Sequence, residues 1–254
     1  IGCVRHGGFI PWDDDIDLAV GRDEYNRLCD VSYEFEYPYY FQTEQTDPGV
    51  LRGHIQIRNS ETTAILSEEL NYKFKYNQGI FIDIFPKDNI PDNDEEFEAY
   101  IKEIFKIKDQ LGRYKRILLV RDPVMYNFSF KKGIKNLVKN ICSPVVKVLY
   151  RRKYQYYEKL MCKYKGKKTK RVCNIPVSIK RNYKRCISPA DFLYNKPINF
   201  KFEFIELPVP SNYDEVLRAT YGDYMEFVIG NNTHGGIIFD TCVSYREFLK
   251  RLIR

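Results

Sequence analysis

Runs of apolar residues separated by polar turns predict a chain that contains both strands and helices. The segments 50–58 and 62–66 are rich in β-branched and aromatic residues, which favours strands. The segment 79–86 is apolar on both faces, which is typical of a strand in the middle of a sheet. Its one acid, Asp83, is costly to ionise among such neighbours unless it has a partner.

Apolar residues at helical spacing predict a long helix over residues 94–119 and a basic helical region over 128–164. We expect Pro144 to break or kink the basic region, because proline removes a backbone donor. The expected core residues of the first helix are Phe97, Ile101, Ile104 and Phe105. One side of the basic region carries Ile134, Leu137, Val138, Ile141 and Val145. Shorter helices are predicted at 22–29, 212–220 and 244–253.

Four carboxylates stand directly before an apolar strand, in the run Trp12-Asp13-Asp14-Asp15-Ile16-Asp17-Leu18-Ala19-Val20. Because side chains alternate along a strand, Asp15 and Asp17 are predicted to share one face. Two carboxylates on one face can converge on a divalent cation, which also neutralises their mutual repulsion. The alternative is a solvated acidic loop, but the apolar alternation and the flanking Trp12 favour a metal site.

A third carboxylate on a neighbouring strand would complete a pattern used for phosphoryl and nucleotidyl transfer. Asp15, Asp17 and Asp83 are therefore the predicted catalytic and metal-binding residues, with Mg²⁺ or Mn²⁺ as the cofactor. Asp83 is also a candidate general base toward a sugar hydroxyl. The alternative for Asp83 is a buried, hydrogen-bonded acid with no part in the chemistry.

Three blocks of the sequence resemble the LicD family and appear in the family's order. They are the run from Gly2 to Asp17, the run from Gly79 to Pro86 with Asp88 and Pro91-Asp92, and Tyr221-Gly222-Asp223-Tyr224-Met225. The family includes bacterial phosphocholine transferases and resembles the fukutin-type ribitol-phosphate transferases. The resemblance implies an α/β (α+β) fold, in which a nucleotidyltransferase-like mixed sheet is flanked by helices.

We expect three parts along the chain. Residues 1–122 would form the nucleotidyltransferase-like catalytic core, with its N-terminal part missing because the chain begins at Ile1, directly before the first block. Residues 123–190 would be a basic helical insertion, and 191–254 the C-terminal part of the catalytic domain.

The resemblance also implies an activity. It is metal-dependent transfer of a phospho-alcohol, first of all phosphocholine from CDP-choline, to a sugar of a cell-surface glycan of the teichoic acid, lipopolysaccharide or capsule type. The acceptor would be free or lipid-linked. Two alternatives stay open: a nucleotidyltransferase that modifies a protein or small molecule, and a non-enzymatic nucleic-acid-binding module.

Four further residues are candidates for substrate binding. Arg5 and His6 precede the acid run by one loop and suit phosphate, although loop capping is the alternative for both. Trp12 would form a wall of the donor pocket, where an aromatic face suits a quaternary ammonium, or else pack in the core. Arg58 ends a predicted strand and would reach phosphate or form an exposed salt bridge.

The charge is concentrated in one segment. Residues 123–190 hold 19 Lys or Arg and one acid, Glu158, within a chain of net charge +7. This asymmetry indicates an anionic partner, whether phospholipid, polyanionic polymer or nucleic acid, but the sequence has no nucleic-acid recognition motif. Residues 131–153 either dock the protein on an anionic membrane face or form a solvated helix face that packs on the domain. No apolar run is long enough to span a bilayer. We expect a cytoplasmic protein that is either free or peripheral at the membrane face.

Overall fold

The structure is a computed structural model that describes residues 1–13, 15–50, 52–71, 76–119, 130–178, 180–229 and 236–253. Asp14 of the acid run and residues 120–129, which include the start of the basic segment, lie outside these ranges. The strands are β1 Asp17–Gly21, β2 Tyr39–Gln42, β3 Ile55–Asn59, β4 Thr63–Leu66, β5 Ile80–Asn89, β6 Arg171–Cys173, β7 Ile187–Pro189, β8 Ile198–Phe202, β9 Ile205–Val209 and β10 Ile237–Asp240. The helices are α1 Arg22–Asp30, α2 Asp94–Leu118, α3 Phe130–Met161, α4 Asp191–Tyr194, α5 Tyr213–Tyr221 and α6 Tyr245–Ile253.

Strand β5 is the centre of the main sheet, as its two-sided apolar pattern predicts. Its first half pairs antiparallel with β3, its middle pairs parallel with β1, and its end pairs antiparallel with β6. Strands β2 and β7 extend the sheet beyond β3 and β6. The predicted fold class, a mixed sheet flanked by helices, is confirmed.

Two groups of buried side chains hold the sheet and helices together. The smaller group packs α1 on the sheet and contains Tyr25, Phe41, Ile55 and Ile84. The larger group joins α2, the second half of α3 and the end of β5. All four residues that the sequence predicts for the core side of α2 are buried in it. The helix starts where Asn93 accepts a hydrogen bond from the backbone N–H of Glu96, a standard N-cap.

Helix α3 is continuous through Pro144, so the helix does not break at that residue. A kink, the other outcome expected there, stays a prediction. The second half of α3 supplies Tyr150, Tyr154 and Tyr157 to the core shared with α2, and this packing extends well beyond the proline. The packing therefore compensates for the hydrogen bond that proline removes. The predicted division of the chain at residues 122 and 190 stays a prediction.

The C-terminal third of the chain contacts the N-terminal half. Strands β8 and β9 form a hairpin whose turn residue, Glu203, donates its backbone N–H to the carbonyl of Gly7. Strand β10 pairs antiparallel with β4, and α6 follows it. No helix within the described residues is long and apolar enough to cross a membrane.

A buried ion pair links the start of α1 to the end of β5. Arg22 donates from Nε and Nη2 to the two carboxylate oxygens of Asp88, both at 2.6 Å, and the residues are 8% and 2% exposed. We expect Asp88→Asn to lower the free energy of unfolding by about 3–5 kcal/mol, because it leaves the Arg22 charge buried without a counter-charge. Urea unfolding measures the loss.

The exposed pair between Arg27 and Glu24 on the same helix is the matched control. Glu24→Gln should change stability by no more than about 0.5 kcal/mol. The double variant Arg22→Met/Asp88→Leu should be more stable than Asp88→Asn, since it removes both charges and keeps the volume. An Asp88→Asn loss as small as that of the control would contradict the assignment.

Candidate active site

Three polar side chains form a row across adjacent strands. Asp17 of β1 lies directly opposite Asp83 of β5, and Asp83 lies opposite Gln56 of β3. Residues paired across a sheet project to the same face, so the row shares one face. The residues that follow Asp17 and Asp83, Leu18 and Ile84, project to the other face and pack with the group under α1.

The acid run adds further charge to this row. Asp15 precedes β1 by two residues, and the backbone N–H of Asp83 donates to the carbonyl of Ile16 between Asp15 and Asp17. Desolvation and the negative charges of Asp15, Asp83 and Asp13 raise the pKa of Asp17 to about 7. Asp17 remains accessible to solvent, so the neighbouring charges contribute more to this shift of its pKa than burial does.

Asp83 has the opposite electrostatic environment. Its Oδ1 accepts a hydrogen bond from Nε2 of Gln56 at 2.6 Å and lies 3.1 Å from Nε2 of His54. Burial alone would raise its pKa, but the hydrogen bonds and the charges of His54 and Arg52 outweigh that effect and lower it. Asp83 is therefore held as a carboxylate, whereas Asp17 resists ionisation.

Arg58 does not occupy the open position that the sequence suggests for a phosphate ligand. It is 1% exposed, which excludes the exposed salt bridge, and its guanidinium donates to Gln42, Gln56 and the carbonyl of Gly79. A side chain on Gly79 would collide with the carbonyl of Asn59, so only glycine allows the two backbone segments to approach this closely. Arg58 thus orients Gln56, which in turn binds Asp83.

The N-terminal turn places Arg5 against the third sequence block. Its Nη1 donates to the backbone carbonyls of Tyr224 and Glu226, and its Nε donates to Nδ1 of His6. Its guanidinium also lies 5.0 Å from the ring centre of Phe227. In this arrangement Arg5 ties the segment after Tyr221 to the first block.

His6, Trp12 and Phe227 form an aromatic cluster beside the acid run. The ring centres are 6.0 Å apart for His6 and Trp12, 5.4 Å for His6 and Phe227, and 6.1 Å for Trp12 and Phe227, all edge to face. Trp12 is 38% exposed, so it is not a core residue. Burial and the charges of Asp17, Asp13 and Asp15 raise the pKa of Tyr221. Tyr221, in the third sequence block, therefore lies near the acid run.

The donor set fits a hard divalent cation in its chemistry. Asp15, Asp17 and Asp83 supply the oxygen ligands that Mg²⁺ and Mn²⁺ prefer, and a cation would relieve the repulsion that raises the pKa of Asp17. Within the described ranges, no three His, Cys, Asp or Glu side chains meet closely enough to enclose a metal ion. The metal site and its ligands stay a prediction.

Sequence reasoning missed His54 and Gln56. Both lie on β3 or directly before it and project to the face of Asp83, with the ring of His54 4.4 Å from that of Phe85. The signal was present in the alternation of His54, Gln56 and Arg58 with two isoleucines, which predicts one polar face on this strand.

Comparison with known proteins gives two matches. Residues 1–115 match the family described as “LicD/FKTN/FKRP, nucleotidyltransferase domain”. The chain is 28% identical over 233 residues to “Lipopolysaccharide cholinephosphotransferase LicD” of Haemophilus influenzae, an alignment that covers 89% of this chain and 79% of that relative. No solved structure matches. The matched region contains all three predicted metal ligands, and the predicted resemblance to the LicD family is confirmed over residues 1–115.

Proposed function

We propose that this chain transfers a phospho-alcohol, with phosphocholine as the first candidate, from a CDP-alcohol to a sugar of a cell-surface glycan. The observation that carries the proposal is the register that sets Asp17 opposite Asp83, with Asp15 next to them. The family and the name of the relative, a lipopolysaccharide cholinephosphotransferase, support the reaction and the kind of acceptor.

We assign Asp15, Asp17 and Asp83 to a bound Mg²⁺ or Mn²⁺. When bound, such a cation would supply positive charge that neutralises the diphosphate of the donor and the departing CMP. The sequence predicts two possible roles for Asp83, as a metal ligand or as a general base. Its lowered pKa makes it a poor proton acceptor and a good anionic ligand, so we propose the ligand role.

The hydroxyl of the acceptor sugar would attack the phosphorus on the alcohol side of the donor and give up its proton to solvent or to the departing CMP. A new phosphorus–oxygen bond forms, and the bond from that phosphorus to the bridging oxygen breaks in line with it, releasing CMP. The protein would contribute to the reaction mainly by positioning the acceptor hydroxyl, the donor phosphates and the side chains that bind them. His54 and Gln56 fix the carboxylate of Asp83, and Arg58 fixes Gln56.

The aromatic cluster supports choline as the alcohol. Trp12 and Phe227 present accessible ring surface next to the acid run. A quaternary ammonium is attracted by such faces, whereas ribitol and glycerol carry no positive charge. Arg5 contacts Phe227 and the backbone behind it, so we propose that Arg5 positions this wall of the pocket.

Nucleotidyl transfer is the second candidate, because the family description names a nucleotidyltransferase domain. The same carboxylates would then support attack on the nucleotide-side phosphorus. The product would carry a nucleotide in place of a phospho-alcohol. No feature of the described residues favours the nucleic-acid-binding alternative.

The donor class is tested by CMP release in the presence of Mg²⁺ and a glycan acceptor. We expect acceptor-dependent release from CDP-choline, at least about tenfold faster than from CDP-ribitol or CDP-glycerol, because only choline gains the cation–π contact. Product mass identifies the group transferred.

The outcomes separate the proposals. Release from none of the three donors would refute the donor class, and faster release from CDP-ribitol would refute choline alone. A nucleotide on the product would favour the second candidate. EDTA should stop release, and activity that survives it would refute the cation.

We expect Asp17→Asn and Asp83→Asn each to lower turnover by about a hundredfold or more, because each removes a negative charge that would hold the cation beside the reacting phosphates and preserves shape. Glu95→Gln is the control, since Glu95 is exposed in the first turn of α2, away from the site. Near-normal turnover of either folded variant would show that the substituted residue is not part of the active site.

Asp17→Asn should also raise the melting temperature of the metal-free protein. The substitution relieves repulsion among the clustered carboxylates, and each kcal/mol gained corresponds to about 2–4 °C for a chain of this size. Mg²⁺ should raise the melting temperature of the wild type more than that of the variant. Differential scanning fluorimetry measures both, and equal Mg²⁺ shifts would argue against cation binding at Asp17.

A further inference from the structure

Helix α3 has apolar side chains on two opposite sides. Its second half buries Val146, Tyr150, Tyr154 and Tyr157. Its first half exposes a row that we name the α3 stripe, formed by Ile134, Leu137, Val138, Ile141, Val145 and Val148. At 3.6 residues per turn these six lie within an arc of about 100°, and the buried residues lie on the far side of the helix.

The exposure of the stripe is large. Its side chains are 48–69% accessible, with Ile141 the most exposed. The arc runs along the helix for about 20 Å, at 1.5 Å per residue. Apolar residues scattered singly on a surface need no explanation, but a continuous stripe of this kind marks an interaction surface.

Basic residues accompany the stripe. The segment 131–153 contains eight Lys or Arg and no acid. Arg152 is exposed and continues the face of the stripe by one turn, and Arg151 and Lys135 are exposed about 40° and 60° beyond its two edges. The helix therefore presents an apolar strip within a field of positive charge.

We propose that the α3 stripe lies in the interfacial region of an anionic membrane, with α3 parallel to the membrane plane. The stripe would enter the boundary between headgroups and acyl chains, and Arg151 and Arg152 would contact phosphate headgroups. A helix with this many charges cannot cross the bilayer, in agreement with the absence of a spanning helix among the described residues.

The charge pattern favours a lipid surface over a second copy of the chain. Two copies joined through the stripe would bring two strongly basic helices together, and their like charges would repel. A bilayer with anionic lipids offers apolar acyl chains and negative headgroups at once. This docking is independent of the proposed reaction, although it would place the enzyme where a lipid-linked glycan is found.

Vesicle flotation with the full chain tests the proposal. We expect binding to vesicles of phosphatidylcholine with about 30% phosphatidylglycerol to be at least tenfold stronger than to phosphatidylcholine alone, and to weaken at about 0.5 M NaCl. Equal binding to both vesicles, or binding to neither, would overturn it.

Matched variants locate the docking face. Ile141→Ser should weaken binding about fivefold or more, whereas Tyr33→Ser, at a residue 77% exposed outside α3, should leave it unchanged. Arg151→Gln/Arg152→Gln should weaken binding more than Lys167→Gln/Lys168→Gln, which removes the same charge from an exposed pair beyond α3.

Equal effects of the two charge pairs would mean that overall charge, and not α3, attracts the protein. Circular dichroism and thermal melting check that each variant is folded. Analytical ultracentrifugation tests the alternative partner of the α3 stripe, a second copy of the chain. A wild-type dimer that Ile141→Ser converts to a monomer, together with no vesicle binding, would show that the stripe is a dimer interface and not a membrane-binding face.

Discussion

Strands β1 and β5 pair in parallel with Asp17 opposite Asp83, and the site depends on this register. A slip by one residue would turn Asp17 toward the packed face under α1 and bring Leu18 to the polar face. The apolar residues of β1 and β5 therefore do more than fill a core. Their fit under α1 specifies which carboxylates share a face.

Two buried networks hold the register from opposite ends of β5. The Arg22–Asp88 pair fixes the end of β5 to the start of α1, directly after β1. Near the start of β5, Arg58 binds the carbonyl of Gly79 and the side chain of Gln56. Burial and the charge of Arg52 lower the pKa of Arg58 to about 9, which still leaves it protonated at neutral pH. Each guanidinium thus uses its rigid fork to join neighbouring elements.

The sequence predicts what depends on local pattern. The 94–119 prediction differs from α2 by one residue, because an amphipathic helix is encoded by its own spacing. The central position of β5 and the place of Asp83 on it also follow from local composition. The continuity of α3 through Pro144 could not be predicted this way, since it depends on a core supplied by α2. The burial of Arg58 likewise depends on partners that are distant in sequence, including Gln42 and Gly79.

The two paired aspartates differ in a way that their sequence context does not reveal. Neighbouring donors hold Asp83 in its charged form, and neighbouring acids make the charged form of Asp17 costly. A folded protein gains nothing from crowding acids around Asp17, and evolution of stability alone would remove them. The cost is explained if a cation or the positive part of a substrate compensates for it during function. In that case Asp83 is anionic before the cation binds, whereas Asp17 becomes anionic as the cation binds. The affinity for the cation and the ionisation of Asp17 would then be coupled.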